Sequence, residues 1–434
     1  MSDSAAGRWP VAGLEHLILC GLGSSGDVHP FVGLGRELIR RGYRVTVLAA
    51  GYFRDLVELA GLEFIDPLPG TDFRDTIRDE RIWHRLRGPH TIVKRAVRPL
   101  LEPVHRIIVE RHAPGATLVV GSSLAFGARV AQESHGIPLV SVHLSPALFR
   151  SDFAGPRLPG LFVDIGPSWF RRAQWRLVDT LVADPAICPW LNAFRSGLGL
   201  PQARRIWGEW MHSPLAVLGM FPEWFAPLQP DWPPGTELTG FPLYSEEGVV
   251  EPAPELAAWV EAERPLVFTP GSANVFGQAF FAAAADACRR LGRPGLLLTR
   301  FPEQVPDALP PRVRHCDFVP FRWLLRRASA LVHHGGIGSA SQALAAGIPQ
   351  LIMPLAFDQF DNATRVERLG VGRSLVPRRF TGPAVAQILD AMLADAGLHG
   401  RCGAVASRLA PDDGLARTAD AIEQAWLTHS SCQG

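Results

Sequence analysis

The sequence predicts an α/β protein made of two parallel-sheet halves, each with helices on both faces of its sheet. Three observations predict it. A short apolar segment at the start of the chain runs into a glycine-rich loop and then an amphipathic segment, over 16–41. The same order of strand, loop and helix returns from Pro265 and again over 331–346. Because strands alternate with helical segments throughout, we expect them to run parallel.

Length and composition indicate a globular protein with more than one domain. The chain has 434 residues, of which 47% are hydrophobic and 20% charged, with a formal charge of +1. That length exceeds one ordinary core, and the near-neutral charge gives no field that would attract nucleic acid. The six cysteines form no C-x-x-C pair, so we expect free thiols in a cytoplasmic protein. No apolar stretch is long enough to predict a transmembrane segment.

Composition also suggests where the domains meet. A proline-rich stretch, 222–234, and an acidic stretch with prolines, 245–255, separate the two halves. We therefore expect an N-terminal domain over 1–230 and a C-terminal domain over 231–412. The alanine-rich segment 413–434 is expected to form a helix that packs back on the N-terminal domain.

The stretch 331–359 carries the strongest site signal, because polar residues gather around a glycine turn between a strand and a helix. An apolar run leads into the segment HHGGIGS at 333–339, ahead of an alanine-rich helix. Backbone N–H groups converge at such a helix start, so the turn is a candidate phosphate cradle. A second apolar run follows, and Asp358 and Gln359 come just beyond it, where ligands of open α/β sheets bind. Taken alone, a tight turn with packed histidines is the plainer interpretation.

The first glycine-rich loop, GLGSSGDVHP at 21–30, differs from a dinucleotide-binding fingerprint. Asp27 stands where that fingerprint has a small residue or the helix start, and no acidic residue suited to a ribose follows the second strand. A carboxylate at this position caps a helix well. It is equally suited to a catalytic role, and the residues alone leave cap and catalytic group open.

Residues 147–232 are rich in Phe and Trp without any repeat. Most such side chains form core. Their density after the sheet strands also suits the wall of a cleft that takes an apolar acceptor. Both interpretations stay open at this point.

Together these motifs resemble the glycosyltransferases that use UDP- or dTDP-sugars and have the GT-B fold, in which two Rossmann-like domains face each other across a cleft. The loop GSSGDVHP (23–30) is similar to the glycine-Asp loop of bacterial natural-product and sterol glycosyltransferases, and 331–359 is similar to their donor-sugar signature. A narrower resemblance, to the rhamnosyltransferases of rhamnolipid biosynthesis, lies in segments such as GEWMHSPLAVLGMFPEWFAP (208–227) and DQFDNATRVERLG (358–370).

The resemblance implies an inverting sugar transfer. Asp27 would be the general base that takes the proton from the acceptor hydroxyl, and His29 is a second, lower-ranked candidate. The implied donor is dTDP-L-rhamnose, the acceptor is the hydroxyl of a 3-(3-hydroxyalkanoyloxy)alkanoic acid, and the product is a mono-rhamnolipid. One alternative is glucosyl or other hexosyl transfer to a macrolide, sterol or other apolar aglycone. Alternatives of another class are a sugar-nucleotide epimerase and a non-catalytic nucleotide-sugar-binding protein.

The same resemblance implies a set of donor-binding residues. The set is Ser272, Phe318, Val319, His334, Gly336, Gly338, Ser339, Gln342, Asp358 and Gln359. The diphosphate is expected at Ser272 and the 334–339 turn, the pyrimidine ring on Phe318, and the sugar hydroxyls at Asp358 and Gln359.

Expectations also follow for the donor nucleotide, for the need for a metal, and for the location and partner of the protein. Gln342 falls where plant relatives place a ribose-binding Glu, which leaves the choice between uridine and thymidine open. No cofactor or metal is implied, in line with the lack of a D-x-D motif in the sequence. We expect a cytoplasmic enzyme, and the resemblance leaves open both a peripheral position at the inner membrane face and an acyltransferase partner.

Overall fold

Thirteen strands in two parallel sheets organise the chain. They are seen in a computed structural model that describes residues 9–84, 87–158, 165–246, 250–410 and 413–432. The strands are β1 (His16–Cys20), β2 (Arg44–Leu48), β3 (Glu63–Ile65), β4 (Thr117–Ser122), β5 (Leu139–His143), β6 (Ala216–Gly219), β7 (Glu237–Leu238), β8 (Leu266–Thr269), β9 (Gly295–Leu298), β10 (Val313–Cys316), β11 (Ala330–His333), β12 (Gln350–Ile352) and β13 (Gly372–Ser374). The first sheet has the order β3-β2-β1-β4-β5-β6-β7 and the second the order β10-β9-β8-β11-β12-β13.

Helices cover the sheets. The α-helices are α1 (Ser25–Arg40), α2 (Arg54–Leu59), α3 (Phe73–Ile77), α4 (Gly88–Ile92), α5 (Arg98–Arg111), α6 (Phe126–His135), α7 (Ser168–Val178), α8 (Asp184–Gly197), α9 (Pro254–Glu263), α10 (Gln278–Leu291), α11 (Phe321–Leu325), α12 (Ile337–Ala346), α13 (Gln359–Arg368), α14 (Gly382–Ala394), α15 (Ala396–Leu409) and α16 (Gly414–Ser431). The predicted α/β class with two parallel sheets is confirmed. No helix in the described part of the chain is long and apolar enough to cross a membrane.

Each sheet reverses its strand order at one point. In the first sheet β1 pairs with β2 on one side and β4 on the other, and in the second β8 pairs with β9 and β11. All residues of β1 and β8 are buried, as expected for apolar strands covered by helices on both faces. The loops after these central strands therefore open at the positions where parallel α/β sheets bind ligands.

The chain crosses between the sheets twice. β7 pairs with β6, so the first sheet extends past residue 230 to Leu238. At the other end of the chain, α16 packs against the first sheet. Its side chains Ile422 and Trp426 are buried in the same hydrophobic cluster as Leu17 and Val47.

The aromatic segment 147–232 is mostly core in its described part, which leaves out 159–164 and with them Phe162. Phe149, Phe221 and Trp232 are buried and stack or meet edge to face. A minority of the apolar side chains are exposed on and before α7, among them Trp169, with 68% of its surface accessible. The core interpretation thus describes most of the segment, and an exposed apolar surface remains at α7.

A buried ionic cluster fastens α16 to the N-terminal domain. Arg41 is 3% exposed and its guanidinium donates to Glu37, Asp420 and Glu423, with Nη1 to Glu423 Oε2 at 2.8 Å. Tyr43 donates its hydroxyl to the other oxygen of Glu423 at 2.8 Å. The carboxylate of Glu423 therefore satisfies two buried donors that are far from it in sequence.

Replacing Glu423 by Ala should lower the free energy of unfolding by about 2 kcal/mol, because buried Arg41 and Tyr43 lose their shared acceptor. Glu37 and Asp420 still balance the Arg41 charge, which keeps the loss below that of a fully unpaired ion. Urea unfolding measures the effect. Asp420 is the matched control, because its side chain is 61% exposed and Asp420→Ala should cost less than about 1 kcal/mol. Equal losses in the two variants would contradict the assignment.

Candidate active site

Two loops of the C-terminal domain meet at the reversal point of the second sheet. The loop after β8 carries Gly271 and Ser272, and the turn after β11 carries His334. Since β8 and β11 are hydrogen-bonded neighbours, their carboxyl ends lie side by side. Two segments that are far apart in sequence thus meet at one end of the second sheet.

The ring of His334 lies between two glycines. A Cβ on Gly271 would be 2.6 Å from the ring carbon Cε1, and a Cβ on Gly336 would be 2.6 Å from the ring nitrogen Nε2. Burial lowers the pKa of His334 to about 4, so the imidazole is uncharged at neutral pH. Its Nδ1 is buried and has no hydrogen-bond partner in the described structure. His334 therefore offers a ligand a hydrogen bond rather than a full positive charge.

The N-terminus of α12 completes the turn. Its N-cap residue is Gly336, which provides no side-chain cap. The backbone N–H groups of Ile337, Gly338 and Ser339 have no backbone partner among the described residues. Three unpaired N–H groups at the positive end of a helix dipole suit a diphosphate. Ser272 is exposed beside this turn, on the loop after β8.

Asp27 serves as a helix cap and leaves one oxygen unpaired. Its Oδ2 accepts from the N–H of Ser24 at 2.7 Å and from the Ser24 hydroxyl at 3.0 Å. Oδ1 receives no hydrogen bond from the described residues. Burial raises the pKa of Asp27, and the two Ser24 hydrogen bonds oppose that rise. Capping and proton acceptance are therefore compatible, because they use different oxygens of one carboxylate.

Asp27 of the N-terminal domain and Asp358 of the C-terminal domain interact electrostatically. Burial raises the pKa of Asp358 to about 6, and the negative charge of Asp27 adds to the rise. Ile337, the first residue of α12, packs against the hydrophobic clusters of both domains. Asp27, Asp358 and the turn at 334–339 (the donor turn) thus lie where the two domains meet, and this junction is the crevice.

His29, the second base candidate, links α1 to residues 244–246 between β7 and α9 (the interdomain segment). Its Nδ1 lies 2.7 Å from the carbonyl oxygen of Ser25 and its Nε2 lies 2.8 Å from Oε1 of Glu246. Burial would raise the pKa of Glu246, but the hydrogen bond and charge of His29 lower it, so the carboxylate is ionised. Both ring nitrogens of His29 therefore lie within hydrogen-bond distance of an oxygen atom. His29 ties α1 to the interdomain segment.

Phe318 and Val319, which are expected near the pyrimidine ring of the nucleotide, lie in two different environments. Phe318 is partly exposed, and the Arg300 guanidinium lies 4.9 Å from its ring centre. Arg300 also donates to the hydroxyl of Tyr52 in the N-terminal domain at 3.2 Å. Val319 is 1% exposed and packs in the core, so only its backbone groups can face a ligand.

Two glutamines of the expected donor set are engaged with backbone. Gln342 donates its amide to the carbonyl of Tyr244 at 2.9 Å and so holds the interdomain segment. Gln359 accepts from the N–H groups of Leu355 and Ala356 at 2.8 and 3.0 Å. These bonds fix the loop before Asp358 and leave the amide nitrogen of Gln359 for a ligand.

Several site residues escape a motif search. Asn362 and Ser145 surround Asp358, Glu246 holds His29, and Ser24 holds Asp27. Ser24 had a usable signal, since Ser-x-x-Asp is a capping pattern. Asn362 lies one helical turn after Asp358, whereas Ser145 and Glu246 have no local signal.

The chain matches models of two known protein families. The model described as the glycosyltransferase family 28 N-terminal domain matches residues 17–151, and the model described as the erythromycin biosynthesis protein CIII-like C-terminal domain matches 299–419. Over 430 residues the chain is 30% identical to the O-mycaminosyltylonolide 6-deoxyallosyltransferase of Streptomyces fradiae, covering 94% of this chain and 97% of that protein. It is also 27% identical to an uncharacterised glycosyltransferase of Mycobacterium tuberculosis, covering 94% of this chain and 98% of that protein.

Solved structures show the same architecture. The glycosyltransferase of kitacinnamycin superposes with a TM-score of 0.69 at 22% identity, covering 95% of this chain and 99% of that one. The spinosyn rhamnosyltransferase complexed with thymidine diphosphate superposes with a TM-score of 0.66 at 19% identity, covering 94% and 100%. The fold is therefore GT-B. With the extent and identity of the Streptomyces match, the chain belongs to the GT-B glycosyltransferase family of erythromycin CIII-like and family 28 proteins.

Gly336→Ala should weaken nucleotide binding by about tenfold or more, or roughly 1.4 kcal/mol, because the new Cβ displaces the His334 ring. Titration calorimetry with dTDP and UDP measures it. Gly403→Ala is the control, since a Cβ at this position in α15 meets no atom within 4 Å. Unchanged affinity in Gly336→Ala would show that His334 has no contact with the nucleotide.

Ser24→Ala should shift the acidic limb of the pH–rate profile upward by about one pH unit. The Ser24 hydroxyl lowers the pKa of Asp27, so its loss raises that pKa and protonates the carboxylate at a higher pH. The basic limb should not move. Ser25→Ala, at the adjacent position, serves as control, and an unmoved acidic limb in Ser24→Ala would separate Asp27 from the rate-controlling ionisation.

Proposed function

We propose that the protein is an inverting, metal-independent glycosyltransferase that moves L-rhamnose from dTDP-L-rhamnose to the hydroxyl of a 3-(3-hydroxyalkanoyloxy)alkanoic acid. The observation that supports it most directly is the shared crevice, where an unpaired oxygen of Asp27 lies on the N-terminal side and the donor turn on the C-terminal side. Each side supplies one half of a sugar transfer.

In the proposed reaction the acceptor oxygen attacks the anomeric carbon as the bond from that carbon to the diphosphate oxygen breaks. Asp27 Oδ1 takes the acceptor proton, and the diphosphate leaves with both bonding electrons. The N–H groups of Ile337, Gly338 and Ser339 meet the charge that develops on the leaving group. Asp358 and the Gln359 amide hold the sugar hydroxyls, which orients the ring for attack from the Asp27 side.

Two acceptor classes have separate support. The segments 208–227 and 358–370, which resemble the rhamnolipid enzymes, favour the lipid acceptor, and the exposed apolar residues at α7 suit acyl chains. The Streptomyces fradiae relative, named for transfer to O-mycaminosyltylonolide, favours a macrolide-type aglycone as the second candidate. A peripheral membrane position and an acyltransferase partner follow only from the first candidate, whereas the proposed cytoplasmic location also rests on the unpaired pattern of the cysteines.

A matrix of two donors and two acceptors tests the proposal. Purified protein is incubated with dTDP-L-rhamnose or UDP-glucose and with the lipid acid or a macrolide aglycone, and products are identified by mass spectrometry. We expect rhamnosyl transfer to the lipid acid, unaffected by EDTA. Transfer only to the macrolide selects the second acceptor, and conversion of the donor without an acceptor indicates an epimerase.

Asp27→Asn should lower kcat by about 10²- to 10⁴-fold while nucleotide affinity changes little. Asparagine keeps the side-chain size and lacks the basic oxygen needed for the acceptor proton. Thermal unfolding checks that the helix cap survives, and Ser25→Ala again provides a neighbouring control. Full transfer by Asp27→Asn would remove Asp27 from the reaction.

A further inference from the structure

One buried amide joins three separate parts of the crevice. Asn362 lies on α13, has no exposed surface, and sits one helical turn after Asp358. Its Nδ2 donates to Asp358 Oδ2 at 2.8 Å and to the carbonyl oxygen of Gly335 at 3.0 Å. Its Oδ1 lies 3.5 Å from the hydroxyl of Ser145, in the loop after β5 of the N-terminal domain. Both amide hydrogens are thus used, and the oxygen faces the opposite domain.

The bond to Gly335 controls the shape of the donor turn. Gly335 has φ of +94°, and a Cβ there would lie 2.8 Å from Ile352. Glycine is therefore required at this position, and the turn is held through its backbone groups. Its N–H donates to His333 Nδ1 at 3.1 Å. Its carbonyl is held by Asn362. The two peptide groups that flank Gly335 are therefore each fixed by one buried side chain.

Fixing the carbonyl also fixes the next N–H. In a trans peptide, the C=O of one residue and the N–H of the following residue point in opposite directions. Holding the Gly335 oxygen on Asn362 therefore turns the N–H of Gly336 to the other face of the turn. That N–H has no backbone partner among the described residues, and it immediately precedes the three unpaired N–H groups of α12.

The Asn362 amide also affects the pKa of Asp358, the carboxylate that is expected to bind the sugar. The Asn362 hydrogen bond opposes the rise in the pKa of Asp358 that burial causes, and Ser145 opposes it too. Asp27 is the charged group facing Asp358 from α1, and its charge favours protonation of Asp358. Asn362 and Ser145 are neutral groups whose hydrogen bonds favour the ionised form of Asp358.

We propose that Asn362 is a positioning residue that sets the donor turn and the sugar-binding carboxylate in register, and that Ser145 extends this link to the acceptor domain. The inference deepens the proposed function and rests on it for the identity of the donor. No transfer step passes through Asn362, which acts only through Gly335 and Asp358. The expected signature is a change in donor affinity together with its pH dependence.

Asn362→Ala should raise the KM for dTDP-L-rhamnose by about tenfold or more and move the acidic limb of donor binding upward, because Asp358 loses a hydrogen bond that favours its ionised form. The acceptor KM should change less. Steady-state kinetics and calorimetric titration of dTDP-L-rhamnose from pH 5 to pH 8, a range on the order of one to two units around the Asp358 ionisation, give both readouts. If the donor KM and the acidic limb of Asn362→Ala both match those of the wild type, the proposal is overturned, even if the variant is less stable.

Two further variants separate positioning from folding. Asn192 is the matched control, because its amide holds the backbone of Ala203 through bonds of 3.0 and 2.7 Å in the N-terminal domain, and Asn192→Ala should lower stability without moving the pH dependence of donor binding. If Asn362→Ala does not fold, Ser145→Ala tests the same link with the loss of one hydroxyl. It should shift the acidic limb in the same direction by a smaller amount, and no shift would overturn the proposal.

The binding titrations also distinguish failure of this inference from failure of the proposed function. If the wild type binds dTDP-L-rhamnose with an Asn362-dependent acidic limb but transfers it to neither acceptor, the inference stands and the proposed function fails. If the wild type transfers sugar and Asn362→Ala does so with unchanged donor KM and pH dependence, the proposed function stands and the inference fails. Absence of any nucleotide-sugar binding by the wild type overturns both.

Discussion

The imidazole of His334 has its place only because glycine stands on both sides of it. Either Cβ, on Gly271 or on Gly336, would approach the ring to 2.6 Å, well inside van der Waals contact. The two glycines reach the ring from loops after β8 and β11, which are neighbours in the sheet. The position of the uncharged imidazole therefore depends both on the strand order and on the glycines in the two loops. The candidate donor site depends on this arrangement.

The interdomain segment carries this constraint to the other half of the site. Tyr244 is held by Gln342 of α12 through its carbonyl, and Glu246, two residues later, is held by His29 of α1. The helix that begins the donor turn and the helix that carries Asp27 are thus tied to the same short segment. His29 and Gln342, two of the predicted site residues, thus also help to hold the domains together.

The strands and glycine turns could be predicted from the sequence because they depend on patterns of neighbouring residues. The strands around 16–20, 266–269 and 330–333 follow from short apolar runs that end in glycine turns. Asp27 lies in the first turn of the helix after the first of these strands, and His334 lies in the turn after the last. Local pattern does not separate Val319 from Phe318: Val319 stands next to the predicted base platform, yet its side chain is buried in the core. Ser145 was not predicted, because its contact with Asn362 joins positions 217 residues apart, and spacing along the chain has no information on such a contact.

The arrangement of charged groups and N–H groups in the crevice suits glycosyl transfer. Two carboxylates, Asp27 and Asp358, lie close enough that one raises the pKa of the other, while the start of α12 presents unpaired N–H groups to the same space. As the bond to the diphosphate breaks, positive charge grows on the sugar ring and negative charge on the leaving group. In the proposed reaction, carboxylates beside the ring and helix N–H groups beside the diphosphate stabilise both charges without rearrangement. The charge of Asp27 opposes ionisation of Asp358, and in the proposed complex the sugar hydroxyls donate hydrogens to Asp358 and offset that repulsion. In that reaction, donor binding and catalysis are coupled through the charge of a single aspartate.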